Sequence, residues 1–219
     1  MFLGVFQHLD TMVFFVAALV IAITIHEFSH AWTADRLGDR TARHMGRLSL
    51  NPLAHLDPMG TILLLLVGFG WGKPVPYDPR QVSRGKLGEA LIAVAGPISN
   101  ILLAFVVALP GRIYLIQHQA LPSGQLYTFL AVLVTLNIFL AAFNLLPIPP
   151  LDGSKILYLI LDSFNVRQET IYRLEQTGPI LLLVLIFADR LMNTNIIYWL
   201  LEPVIAIIQW FVGSSTLPF

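Results

Sequence analysis

The sequence predicts an all-α polytopic membrane protein, and three observations lead there. Hydrophobic residues make up 56% of the 219 and charged residues only 12%, against roughly 25% charged in ordinary soluble domains. Mean hydropathy is +0.74, which leaves too few polar side chains to coat a water-soluble globule. The apolar residues are also gathered into runs, several of them near the ~20 residues an α-helix needs to cross a hydrocarbon core. Net charge is zero, so nothing points to a nucleic-acid partner. Cysteine is absent, which excludes disulfides and thiolate metal ligands. One integral-membrane domain over 1–219 suffices for this length, with a core over about 11–162 and C-terminal helices over about 176–213.

The first span is expected over roughly 11–33, since residues 12–25 carry no charge. The N-terminal Met-Phe-Leu-Gly-Val-Phe-Gln-His lacks the positive n-region of a secretory leader, so this span is expected to stay in place. Loops at 34–60 and 71–87 are rich in Pro, Gly, Asp and Arg, as ordered surface loops are. Between them, 61–70 is apolar but too short to cross. Pro58, Gly60, Gly70 and Gly72 bracket it, which suits a re-entrant or membrane-parallel loop or β element. Further spans follow at 88–109 and 126–148. Residues 151–161 reach only half a bilayer and read as the third span continued beyond a break. A shorter span at 176–192 and a last one at 195–213 bring the total to about five transmembrane helices. Trp32, Trp71, Trp199 and Trp210 read as interfacial or packing aromatics, and Glu202-Pro203 as a start or kink of the final helix.

The Lys and Arg residues decide how segment 61–70 is threaded. They fall in groups: Arg36, Arg40, Arg43 and Arg47; Lys73, Arg80, Arg84 and Lys86; Arg112; Lys155, Arg167 and Arg173; Arg190. If segment 61–70 crosses, the two sides share them almost evenly. If it dips and returns, one side collects 11 of the 13, as the positive-inside rule prefers. The N-terminus is then expected outside, in a prokaryotic cell membrane. The end of the first span lies in the cytoplasm, and His26 sits roughly 10 Å below that surface at 1.5 Å per residue.

That first span ends in His26-Glu27-Phe28-Ser29-His30. On a helix the two histidines share a face and Glu27 projects beside them. Two neutral imidazoles can hold Zn²⁺ while a carboxylate serves as general base. Ionisable groups at membrane depth are expensive and usually functional. Catalytic zinc commonly takes three protein ligands, so a third donor is needed. The candidates are His8, His44, His55, His118, Asp57 and Asp152. Asp152 has the best context, because Asn144-Leu-Leu-Pro-Ile-Pro-Pro-Leu-Asp152-Gly153 stops an apolar helix with prolines. Unwound backbone at membrane depth is tolerated where it lines a cavity. The competing role for Asp152 is a helix N-cap. His55 and Asp57 read as loop-ordering groups, Asn100 as a helix-packing group, and Gly96 as a close helix contact.

With these motifs the sequence resembles the site-2 protease family of intramembrane zinc metalloproteases. The resemblance rests on the His26-to-His30 pentad and the Asn144-to-Gly153 stretch. Asn51-Pro-Leu-Ala-His-Leu-Asp-Pro58, Gly72-Lys-Pro-Val-Pro76 and Ala95-Gly-Pro-Ile-Ser-Asn100 reinforce it. It implies that His26, His30 and Asp152 ligate one Zn²⁺, that Glu27 is the general base, and that Asn144 engages the substrate backbone or the oxyanion. It also implies a substrate that is a transmembrane helix of another membrane protein, held in the lipid bilayer. An upstream protease or regulatory membrane protein is expected to time the cut. Many members carry a PDZ or CBS domain; neither occurs within these residues, so this is expected to be a minimal form. Two other classes use the same residues: a metal- or ion-handling transporter, and a catalytically dead relative. An intact Glu27 speaks against the second.

Overall fold

The structure is a computed structural model that describes residues 9–67, 70–192 and 194–213. Among these residues the architecture is all-helical. Helix α1 (Leu9–Arg36) is followed by a short α2 (Thr41–His44), a 3-10 turn at Pro52–Ala54 and α3 (Pro58–Val67). Then come α4 (Gly85–His118), α5 (Gln125–Asn144), α6 (Gly153–Ser163), α7 (Gln168–Met192) and α8 (Ile196–Val212).

Four helices, α1, α4, α5 and α7, are long and apolar enough to cross a membrane. Helix α8 is apolar but has only 17 residues, at the short end of the spanning range. Helix α4 runs past its expected end through Pro110 to His118, with Pro97 also inside it. Helix α7 begins eight residues before the expected 176, because its first turns are polar and lie outside the apolar window. Pro203 falls in the middle of α8 rather than at its start.

Segment 58–67 is a helix of 10 residues, about 15 Å long at 1.5 Å per residue, too short to cross. Its entry is built locally: Asp57 Oδ1 accepts the Gly60 amide at 2.7 Å, with Pro58 at the first helical position. The β element expected here is reduced, among the described residues, to one antiparallel bridge between Leu56 and Gly72. Residues 68 and 69 of the expected 61–70 element lie outside the described set.

Helices α1, α4 and α5 pack on one another, and α8 lies against α4 and α5. Small buried residues let the backbones approach: Ala18, Ala22, Ala31 and Ala34 on α1, Ala104 and Ala108 on α4, Ala141 and Ala142 on α5. In lipid, where apolar side chains gain little by meeting each other, such close packing drives association. The break after α5 is tight. A Cβ at Gly153 would lie 2.3 Å from Leu145 O and 2.4 Å from Leu146 O, so only glycine lets α6 start against the end of α5. Helix α6 packs along α4 and its far end pairs Asp162 with Lys86 at the start of α4. It therefore continues the sense of α5 beyond the break, as expected for a discontinuous span.

Candidate metal centre

His26 and His30 sit on one face of α1, their ring centroids 4.6 Å apart and their planes at 88°. Both are buried. The break between α5 and α6 brings Asp152 to them: Oδ2 lies 3.1 Å from His26 Nε2 and 3.4 Å from His30 Nε2. One donor atom from each of the three residues lies within 4.8 Å of the others. Asp152 stands at the N-cap position of α6 but makes no side-chain cap bond. The capping alternative therefore has no support in the geometry.

The protons on the rings follow from their outer nitrogens. His30 Nδ1 lies 2.7 Å from Ile92 O. A carbonyl only accepts, so Nδ1 donates, and in the neutral ring Nε2 is the bare nitrogen. His26 Nδ1 lies 2.6 Å from Asn100 Oδ1, which imposes the same tautomer. Asp152 Oδ2 is buried with no hydrogen-bond partner. In the neutral rings two Nε2 lone pairs and a carboxylate oxygen thus converge. Burying such acceptors unsatisfied is costly unless a cation lies between them. Two imidazole nitrogens and one carboxylate oxygen are a donor set for Zn²⁺ that leaves a fourth position open. The residues fit the metal that the sequence motif implies.

Gly96 makes this approach possible. A Cβ there would lie 2.5 Å from His30 Nε2 and 2.6 Å from His26 Cε1. The sequence marks Gly96 as a close helix contact; its neighbours turn out to be the two histidines. Asn100, read from sequence as a packing group, bonds His26 instead. The available signal was a strongly polar amide in the middle of an apolar span.

Glu27 is half-buried, less enclosed than the two histidines that flank it. Its Oε1 would lie 3.6 Å from a Cβ on Gly72, beside the bridge to Leu56. That bridge is fastened by Lys73 N donating to His55 O at 2.8 Å. The buried Arg47 guanidinium donates to Lys73 O. Asn144 closes α5 and its Nδ2 donates to Leu140 O at 2.9 Å. His55 is fully buried and bonds Ser49 O at 2.7 Å, an ordering role in its loop. Asp57 caps α3. Neither joins the donor group, and nor do His44 or His118; His8 lies outside the described residues.

Residues 108–186 match the sequence profile of Peptidase family M50, a stretch that includes Asn144 and Asp152. YwhC of Bacillus subtilis, named as a candidate zinc metalloprotease, is 43% identical over 68% of this chain and 69% of its own length. Rip2 of Mycobacterium tuberculosis strain H37Rv, named likewise, is 32% identical over 85% of this chain and 72% of its own. Zinc metalloprotease MJ0392 of Methanocaldococcus jannaschii is 26% identical over 82% of this chain and 43% of its own. No solved structure matched the chain significantly.

Proposed function

The chain belongs to peptidase family M50, and on that premise we propose that it is a membrane zinc endopeptidase that cuts within or beside transmembrane segments of other membrane proteins. The cut fits regulated intramembrane proteolysis, and residues 1–219 act as one catalytic unit. One observation carries the reading: three side-chain atoms of metal-ligating type, His26 Nε2, His30 Nε2 and Asp152 Oδ2, converge where α1 meets the α5–α6 break.

In this reading His26, His30 and Asp152 hold the metal. When bound there, Zn²⁺ supplies a Lewis acid that acidifies water and polarises a peptide carbonyl. Glu27 accepts the proton of the attacking water and returns it to the leaving amine. Its half-buried carboxylate suits that task, because it must meet both water and substrate. Asn144 Nδ2 carries two hydrogens and spends one on Leu140 O, so the other is available to the substrate backbone or oxyanion.

A substrate helix hides its carbonyls in i→i−4 bonds and has to unwind before it can be cut. The segment at 72–76, which begins at the bridge to Leu56, supports a place for the unwound chain. Lys73 turns its amide and carbonyl towards His55 and Arg47. Alternate residues of a strand face opposite edges, so Gly72 would present its amide and carbonyl to the other side and Pro74, which has no N–H, its carbonyl alone. An added strand there would pair by β-augmentation beside Glu27. The positive-side count supports a cytoplasmic opening, with the N-terminus outside. An ion-transport role would use the same three ligands but leave Glu27 without a task.

The test is to purify the chain with its metal in detergent or liposomes and add helical membrane substrates. Cleavage that is lost in Glu27→Gln and in Asp152→Ala supports the reading. Cleavage that persists in His26→Ala or Asp152→Ala overturns the ligand set.

A further inference from the structure

The two histidines are held by different means. His30 is oriented by a backbone carbonyl, that of Ile92, which no side-chain substitution removes. His26 depends on a chain of side chains that crosses two other helices. Asn100 Oδ1 on α4 faces His26 Nδ1 at 2.6 Å. Asn100 Nδ2 donates to Ala22 O at 3.1 Å and to Asn137 Oδ1 on α5 at 2.7 Å. Asn137 Nδ2 donates in turn to Leu133 O at 2.8 Å. Both asparagines are fully buried.

The direction of every link is forced. Leu133 O and Ala22 O are carbonyls and only accept, so each must be met by an amide nitrogen. Asn137 therefore shows its oxygen to Asn100, and Asn100 shows its oxygen to His26. Turning either amide over would set oxygen against oxygen in a dry site, where an unmet acceptor is costly. The hydrogen of the neutral His26 ring is thus held on Nδ1, and the bare Nε2 is aimed at Asp152. With the other tautomer an N–H would point into the group of metal donors.

We propose that Asn100, itself fixed by Asn137, is a positioning residue that sets the tautomer and ring direction of His26 for zinc. The relay ties the ligand on α1 to α5, the helix whose broken end carries Asp152. Two of the three donors are thereby referred to one rigid helix pair. This rests on the metal-centre reading above.

The test compares the full chain with Asn100→Ala and Asn137→Leu in detergent. It reads zinc affinity by competition with a chelator, and thermal unfolding with and without zinc. Asn100→Ala is expected to weaken zinc by about 10–100-fold, the usual effect of losing a group that orients a ligand. Asn137→Leu is expected to weaken it less, and in both variants the gain in Tm on adding zinc shrinks. A packing role alone would lower the metal-free Tm and leave zinc affinity unchanged, and that result overturns the proposal. Imidazole ¹⁵N shifts of the zinc-free parent give a readout independent of how the variants fold. Read where the ring is neutral, hydrogen on His26 Nδ1 supports the relay; hydrogen on Nε2 overturns it. If the parent itself binds no zinc, the metal-centre reading fails. If the parent and Asn100→Ala bind it equally, only the relay does.

Discussion

The α1–α4–α5 group and the α7–α8 pair each contain apolar helices, yet they are held together differently. In the first, Thr24, His26, His30, Asn100 and Asn137 are all buried. Each bonds a carbonyl or another side chain in that group. The buried residues of α7 and α8 are Ile171, Gly178, Leu182, Leu201, Ile208 and Val212, with no polar side chain among them. The apolar window of α7 is 17% buried, against 39% for α4 and for α5. Its ion pair to α6, Lys155–Glu175 at 2.9 Å, lies on the exposed surface, where such pairs contribute little. Directional bonds hold atoms to tenths of an ångström, which a metal centre requires. Apolar contacts hold a helix against its neighbours without fixing its register. Sensitivity to substitution should therefore fall from the first group to the second, in zinc binding as well as in stability.

The largest effect is expected at Glu27. Glu27→Gln removes the proton acceptor and leaves the three ligands in place, so cleavage should fall by at least about 10²–10⁴-fold while zinc content stays near one per chain. A substrate-cleavage assay run beside metal analysis checks this; parallel loss of zinc would make Glu27 a structural partner of the ligands. Next comes Asp152→Ala, which should bring bound zinc close to zero. Zinc retained there would transfer the third position to another residue. Gly96→Ala follows. Its methyl group would meet both imidazoles at 2.5–2.6 Å, an overpacking that costs about 1–3 kcal/mol and forces the rings apart. Zinc affinity and stability should then drop together, as chelator competition and thermal unfolding would show.

How much of this was legible depended on whether the signal was local. The His26–His30 pair is, because one helical turn brings the two rings together whatever else the chain does. Asp152 lies 122 residues beyond His30, yet the prolines that break its helix single it out. The short apolar segment 61–70 read as too short to cross from its length, with the Lys and Arg count pointing the same way, and the helix there has 10 residues. The role of Asn100 was not legible, since its partners Ala22, His26 and Asn137 come from two other helices. A polar residue in an apolar run announces that it is satisfied by something, not by what. The ends of α4 and α7 were missed for a related reason. Arg112 and the polar turns before 176 look like loop by composition, whereas Arg112 Nη1 reaches Val212 O at the end of α8 and the turns before 176 extend α7 to Gln168.

The smallest effects are expected in the C-terminal pair, and they sharpen the comparison most. Leu201 on α8 is fully buried among α4, α5 and α7 side chains. Leu201→Ala leaves a cavity, for which about 2 kcal/mol or more of stability is the usual loss. Zinc affinity should not change, because no bond in the His26–Asn100–Asn137 relay passes through α8. Leu191, near the end of α7, is 83% exposed. Leu191→Ala should stay within about 0.5 kcal/mol of the parent, with zinc affinity again unaltered. Thermal unfolding and chelator competition on both variants separate stability from metal geometry. If Leu201→Ala weakened zinc as much as Gly96→Ala, packing and metal geometry would be one cooperative unit. The division between directional and apolar halves would then fail, because displacing α8 would have moved the donors that hydrogen bonds were argued to hold.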